Sequence, residues 1–288
     1  MSDRSAPSTP ASGAKVLRAE DRLAIAKPLA ARLERAYKHL DDLHVEIGKF
    51  LNEDPNFMVV YNDDIEEAGK RRVDVVNTGD TTTIALIAGD AIHNLRSALN
   101  YLYVSLARHA PRRRDGTPEF SDGALHQIQF PAPKTPEIYR RSEARGQIER
   151  MGQDILKMFD ALYADDRACK TLWRLNALSN TDKHRTLVGV GTKGHGWRAV
   201  KHVAPPPVAP TGNEGPAETI KAALALPFPL PKHTVIAGIP DADAGDDMHV
   251  TFEVAFNQSG IEGEPVIETL DDMFYLAHAV ISAFVPLP

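Results

Sequence analysis

The chain has 288 residues, 43% hydrophobic and 25% charged, which excludes disorder throughout and allows a core buried without disulfide or metal staples. The single cysteine, Cys169, excludes an internal disulfide and gives no sign of an oxidising compartment. The net charge of −6 is uneven: residues 204–288 set only Lys221 and Lys232 against twelve acidic residues, and the rest carries a surplus of four positive charges, too few to announce a nucleic-acid binder. Residues 1–14 lack the apolar stretch of a signal peptide and no apolar run approaches the roughly 18 residues of a membrane span, so a cytoplasmic chain with no membrane partner is expected.

In chain order, residues 1–18 read as a disordered Ser/Pro/Ala-rich leader. Helical spacing then runs through Leu29, Leu33, Tyr37, Leu40, Leu43 and Ile47, with Pro28 expected to kink the first turns or to mark the true start. Phe57 to Tyr61 and Arg72 to Val76 read as two antiparallel strands. From Thr81 to about Ala110 a strongly patterned helix puts Ile84, Ala88, Ile92, Leu95, Leu99, Leu102 and Leu106 on one side. A Pro- and Gly-punctuated connection over 112–135 leads to a short helix over 137–146 and two longer ones, around Ile148 to Leu162 and Cys169 to Leu178.

After His184 the segments LVGVG, WRAVKHV, HTVIAGI and MHVTFEVAF carry the β-branched character of a small antiparallel sheet, and the Pro-rich stretches between them read as loops or edges. Thr269 to Phe284 reads as a closing helix, with Thr269 and Asp272 in capping-box spacing. No internal repeat is present. The expectation is a single α+β domain over 19–288, a helical bundle (19–56, 79–185, 266–285) with a small antiparallel sheet (57–78, 186–257) packed at one side.

Two polar segments stand out. In the central helix Asp90, His93, Ser97 and Asn100 form a stripe about 140 to 160° from Leu95, with Arg96 about 100° away. Leu86 and Val104 flank the stripe, so it is expected to face protein, where its polar groups need partners. The expected partners are in Asn176 to Arg185, which ends a helix just before the sheet. Two readings follow: a hydrogen-bond network that locks helices together, or a pocket shared by the two segments.

The strings GDAIHNLRSALNYL and NTDKHR, some eighty residues apart, resemble a family of bacterial proteins without an assigned function, over roughly residues 75–190. More distantly, the central helix resembles the HEPN superfamily of helical bundles, many of them metal-independent ribonucleases in which an Arg is followed about four to six residues later by a catalytic His. That resemblance implies an RNA or nucleotide partner and a homodimer. Within that reading His93, Arg96 and His184 are the candidate catalytic groups, Asn100, Tyr101, Asn180, Lys183 and Arg185 the candidate substrate contacts, and Asp90 and Asp182 the orienting carboxylates, with no cofactor and no metal. The pattern is broken at residues 101–103, which are Tyr, Leu and Tyr, so no His follows Arg96 at the family spacing. Tyr, with an ordinary pKa near 10, is a poor base at neutral pH, so either His184 substitutes or the activity is absent.

Two alternatives stand beside the RNA-binding reading. One is a non-enzymatic interaction or scaffold protein in which the Asp-His-Arg-Asn residues are structural, and the other is a metal-dependent hydrolase using Asp90, His93, Asp182 and His184. Arg112 to Arg114 and the set Arg140, Arg141, Arg145 and Arg150 read as solvated surface or as a basic patch. Gly189 to Gly194 matches GxGxxG but does not open a helix, so a hairpin turn is expected there, and Cys169 reads as a buried structural thiol.

Overall fold

A computed structural model describes residues 19–52, 57–62, 70–77, 79–184, 188–201, 218–222, 228–229, 233–240 and 247–287, with side chains described over 20–52, 79–181, 188–193, 228–229 and 252–287. The leader 1–18 lies outside these residues. The architecture is α+β, as the patterning implies. In order, the elements are α1 (Ala19–Asn52), β1 (Phe57–Asn62), β2 (Lys70–Asn77), α2 (Thr82–Arg108), α3 (Asp122–Gln127), α4 (Pro136–Arg140), α5 (Glu143–Met151), α6 (Gln153–Leu162), α7 (Asp166–His184), β3 (Val190–Lys201), β4 (Glu218–Ala222), β5 (His233–Pro240), β6 (Asp247–Phe256) and α8 (Val266–Phe284). No helix among the described residues is long and apolar enough to cross a membrane.

The chain divides into two compact units, each assembled from separated stretches. One takes Met1–Asp41, Ile87–Thr186 and Ile267–Pro288, and the other takes Asp42–Leu86 and Leu187–Val266. Because each unit interleaves early, middle and late segments, no single linker in the sequence marks a boundary between them.

The first unit is helical. Leu29, Leu33 and Ala36 from α1, Leu95, Leu99 and Leu102 from α2, and Leu270, Ala277 and Ile281 from α8 are all buried, which is the outcome of apolar residues recurring three or four apart. Pro28 does not break α1: the helix runs through it, and Arg32 donates from Nη1 to the Pro28 carbonyl at 3.0 Å. Around Phe159 an aromatic cluster forms, with ring centroids 5.6 Å from Phe130, 5.9 Å from Tyr103 and 5.2 Å from Phe284.

The short helices are set by caps. Ser121, Thr135 and Ser142 each accept, through the side-chain oxygen, a backbone N–H three residues on, which starts α3, α4 and α5. The expected helix over 137–146 is therefore two pieces, because the second cap at Ser142 restarts the chain as α5. The closing helix begins at Val266, a turn before the Thr269 and Asp272 spacing suggests. Asp272 is then free of capping and pairs with Arg167, whose Nη2 lies 3.0 and 2.9 Å from its two carboxylate oxygens.

The second unit contains the strands, in two three-stranded antiparallel sheets ordered β1-β2-β5 and β4-β3-β6. Strand β1 pairs with β2 from Phe57↔Asn77 to Asn62↔Arg72, and β3 pairs with β6 from Val190↔Phe256 to Val200↔Asp247. Leu43, Ile47, Phe50, Ile84, Val254, Phe256 and Ile261 are among its buried residues.

The GxGxxG string starts at Gly189, one residue before β3, runs on into the strand and makes no hairpin turn; the register shifts between Gly194 and Gly196, which marks a bulge. Its glycines serve close packing. A Cβ on Gly189 would sit 2.7 Å from the Asn257 carbonyl oxygen, and one on Gly191 2.7 Å from the Pro229 Cβ.

Candidate functional site

Along α2 the polar stripe divides. Its N-terminal part is open: Leu86 is 50% exposed, Asp90 and His93 are exposed, and Asn94 makes a local hydrogen bond there, from Nδ2 to the Asp90 carbonyl oxygen at 2.8 Å. The expectation that the whole stripe faces protein is therefore corrected for this part. Its C-terminal part is covered. Arg96 is 4% exposed and donates from Nη2 to the Phe130 carbonyl oxygen at 2.9 Å. Asn100, one turn later, accepts the Phe130 N–H through Oδ1, also at 2.9 Å. Two side chains at i and i+4 thus satisfy both backbone groups of a single residue.

Local sequence explains why Phe130 needs them. It precedes Pro131, which disfavours helical backbone and leaves the N–H and C=O without partners of their own. Its ring enters the aromatic cluster beside Phe159 and Tyr103, and Tyr163 donates its hydroxyl to the Pro131 carbonyl. Buried chain without secondary structure must find polar partners, and α2 supplies them.

This environment is apolar enough to act on charge. Burial lowers the Arg96 pKa from 12.5 to about 10, with the Tyr163 hydroxyl opposing the shift, and no described carboxylate pairs with the guanidinium. Burial raises the Tyr103 and Tyr163 pKa values well above 10, and burial together with Asp160 raises that of Tyr139.

Tyr101 and Ser97 are held from α1. Arg32 donates from Nε to Ser97 Oγ at 3.2 Å, and its guanidinium carbon lies 4.7 Å from the Tyr101 ring centroid. Tyr101 is thereby engaged as a platform for an intramolecular cation.

At the other motif, Asn180 is exposed on α7, Thr181 Oγ1 donates to the Ala177 carbonyl at 3.2 Å, and the Ser179 hydroxyl is buried without a partner among the described residues. The side chains of Asp182, Lys183 and His184, and all of Arg185, lie outside the described residues. The described hydrogen bonds of Arg96 and Asn100 go to Phe130 and not to residues 176–181, and the expected pairing of the α2 stripe with residues 182–185 lies outside the described side chains.

Of the proposed catalytic set, then, His93 is exposed on α2, Arg96 is buried against a carbonyl, and His184 falls outside the described side chains. Among the described residues no three His, Cys, Asp or Glu side chains gather as metal ligands. Cys169 is buried, donates to the Tyr163 carbonyl at 3.6 Å, and has its thiol pKa pushed up to about 11 by burial, the opposite of an activated nucleophile.

The arginine set is largely paired. Arg145 holds Asp160 at 3.1 and 2.9 Å, Arg140 lies 3.3 Å from Glu137, and Arg113 donates to Glu119 at 3.3 Å. Each of these pairs sets a carboxylate against an arginine that could otherwise join a basic patch.

No family model, curated protein or solved structure matches this chain. Its residues therefore carry the functional argument alone. The partner that the sequence reading missed is Phe130, a backbone group with no motif of its own. Its signal is the Phe-Pro step, where an extended residue inside an apolar stretch leaves two polar groups for a neighbouring helix to answer.

Proposed function

We propose that the protein is a non-enzymatic interaction or scaffold protein, in which Arg96 and Asn100 lock the connection between α2 and α4 onto the helical unit. The observation that carries this reading is the double hydrogen bond to Phe130. A phosphate ligand has to reach the guanidinium, whereas Arg96 is 4% exposed and spends a donor on a carbonyl. With Tyr at 101 and 103 and His93 on the open part of the stripe, the Arg-then-His arrangement of the ribonuclease reading is not assembled on α2.

The test uses a labelled single-stranded RNA incubated with the full chain, with and without chelator, beside the variants His93→Ala and Arg96→Ala. The expected result is no cleavage by any of the proteins, together with a melting temperature several degrees lower for Arg96→Ala alone. Chelator-insensitive cleavage that disappears in His93→Ala would return the protein to the ribonuclease reading. Cleavage abolished by chelator would favour the hydrolase reading built on Asp90, His93, Asp182 and His184. A homodimer, which the HEPN resemblance implies, is checked by sedimentation of the same samples in an analytical ultracentrifuge.

A further inference from the structure

The loop from Arg113 to Ser121, helix α3 and helix α5 enclose a cleft of about 600 Å³, a volume in the range of small-molecule sites. It lies within the helical unit and apart from the Arg96 lock. Its floor and walls are apolar at Pro118, Phe120, Ala124 and Ile128. Its polar lining sets Arg113 and Arg150 beside Asp115 and Glu119, with Thr117, Ser121 and Gln147.

Arg150 lines the cleft with its guanidinium carbon 5.0 Å from the Phe120 ring centroid. That contact sets the side chain over an aromatic face, and Glu119 Oε1 holds it electrostatically at 3.7 Å, beyond hydrogen-bond length. Among the described residues Arg150 donates no hydrogen bond, so its fork of N–H groups is positioned and unspent. Gln147 also lines the cleft. Its Oε1 accepts from the Tyr103 hydroxyl at 3.4 Å, which leaves the amide N–H₂ without a described partner. Ser121 Oγ accepts the Ala124 N–H and keeps its own proton to donate.

The charges in the cleft balance at the rim. Glu119, with its side chain 16% exposed, is shared by Arg113 and Arg150, so one carboxylate serves two guanidiniums. Asp115 is turned to its own loop, its Oδ1 accepting the Thr117 N–H and hydroxyl at 2.9 and 2.6 Å. Arg112 and Arg114, exposed in the same loop, add two further positive charges. An acceptor-rich group entering beside Arg150 therefore meets donors that make no described hydrogen bond.

We infer that this cleft binds a small oxyanion carried on an apolar or aromatic body, with the oxyanion, a carboxylate or a phosphate monoester, on Arg150 and Gln147, and the body against Pro118 and Ile128. Arginine suits this task because its planar fork matches the two oxygens of either anion.

The test titrates the full chain with phenyl phosphate, benzoate and inorganic phosphate, read by calorimetry and by amide chemical shifts. Phenyl phosphate or benzoate is expected to bind in the millimolar range or tighter, shifting the amides of Phe120 and Gln147. Arg150→Met is expected to weaken that binding about tenfold, the loss of one charge-assisted pair. The tighter of the two probes identifies the anion, and either order supports the site. Ala124→Phe, which fills the apolar wall and leaves both guanidiniums in place, is expected to abolish binding and guards against a misfolded Arg150 variant. The inference is overturned if neither organic probe binds, if inorganic phosphate binds as tightly as phenyl phosphate, or if Arg150→Met, still folded, binds unchanged.

Discussion

Arg96 and Arg150 sit in the same helical unit and carry the same side chain, yet their surroundings give them opposite tasks. Around Arg96 the chain is buried, the partner is a carbonyl, and burial alone brings the pKa down to about 10. Around Arg150 the side chain is 48% exposed, rests on Phe120 and faces a shared carboxylate without a hydrogen bond. An arginine becomes structural when its donors meet the backbone in an apolar setting, and becomes available when packing orients it while its donors stay unspent. Residue type alone does not separate these cases.

The largest effect that would break this contrast is on stability. Arg96→Ala removes a charged donor from a buried carbonyl and is expected to cost about 3 kcal/mol, from the lost charged hydrogen bond and the packing of the stem. Asn100→Ala orphans the Phe130 N–H and is expected to cost about 1 to 3 kcal/mol. Because both act on one residue, the double variant should cost less than the sum, a coupling that chemical denaturation of the four proteins measures. Arg150→Met should stay within about 0.5 kcal/mol of the parent. Equal losses for Arg96→Ala and Arg150→Met would erase the distinction.

A second prediction uses alkali. Tyr103, Tyr139 and Tyr163 have folded pKa values raised above the ordinary 10, so the stability they provide is present in full below pH 10 and is lost as pH climbs beyond it. Arg96 acts with the opposite sign: its folded value near 10 lies below 12.5, so its charge disfavours the folded state until pH rises through that interval. Three phenols against one guanidinium give net destabilisation. Phenolate absorbance should therefore show a set of tyrosines that ionise only together with loss of the helical circular dichroism signal. Ionisation of every tyrosine near pH 10, with the helices intact, would contradict the burial of this cluster.

The smallest expected effect is at the surface. Arg167 and Asp272 form a two-pronged pair, but their side chains are 75% and 58% exposed, so solvent screens it. Asp272→Asn should change stability by less than about 0.5 kcal/mol and lose even that at high salt. A larger loss would mean that short ion pairs in this unit matter more than their exposure suggests.

Much of this fold was legible because apolar spacing is a direct record of which face is buried. The stripes read on α1, α2 and α8 are the buried ones, with Leu29, Leu95 and Ile281 fully covered, although Tyr37 on the α1 stripe is 51% exposed. Strands β1 and β2 were legible from their β-branched runs. The glycines at the start of β3 hid its continuity, because Gly189, just before the strand, and Gly191 and Gly194 within it carry the signature of a turn while serving close packing and a bulge. Strand β4, Glu218–Ala222, follows a Pro-rich stretch and is too short to show a period. At the site, the stripe on α2 was legible as polar and in need of partners, and Asn180 as a polar position. That Arg96 and Asn100 meet Phe130 was not, because a backbone partner leaves no chemical type in the sequence. Arg150 was legible only as charge, since its role depends on Phe120, thirty residues earlier in the chain, lying beneath it.

The Asn100 bond also makes the Phe130 amide a clock. This N–H belongs to a segment outside any helix or strand, where an open amide exchanges with solvent rapidly. Closed by Asn100, it exchanges only when the connection lifts from α2, so its deuterium uptake counts the openings of that one latch. The rate at a single backbone proton would then report, without any mutation, how often the α2 to α4 connection comes free while the helices around it stay folded.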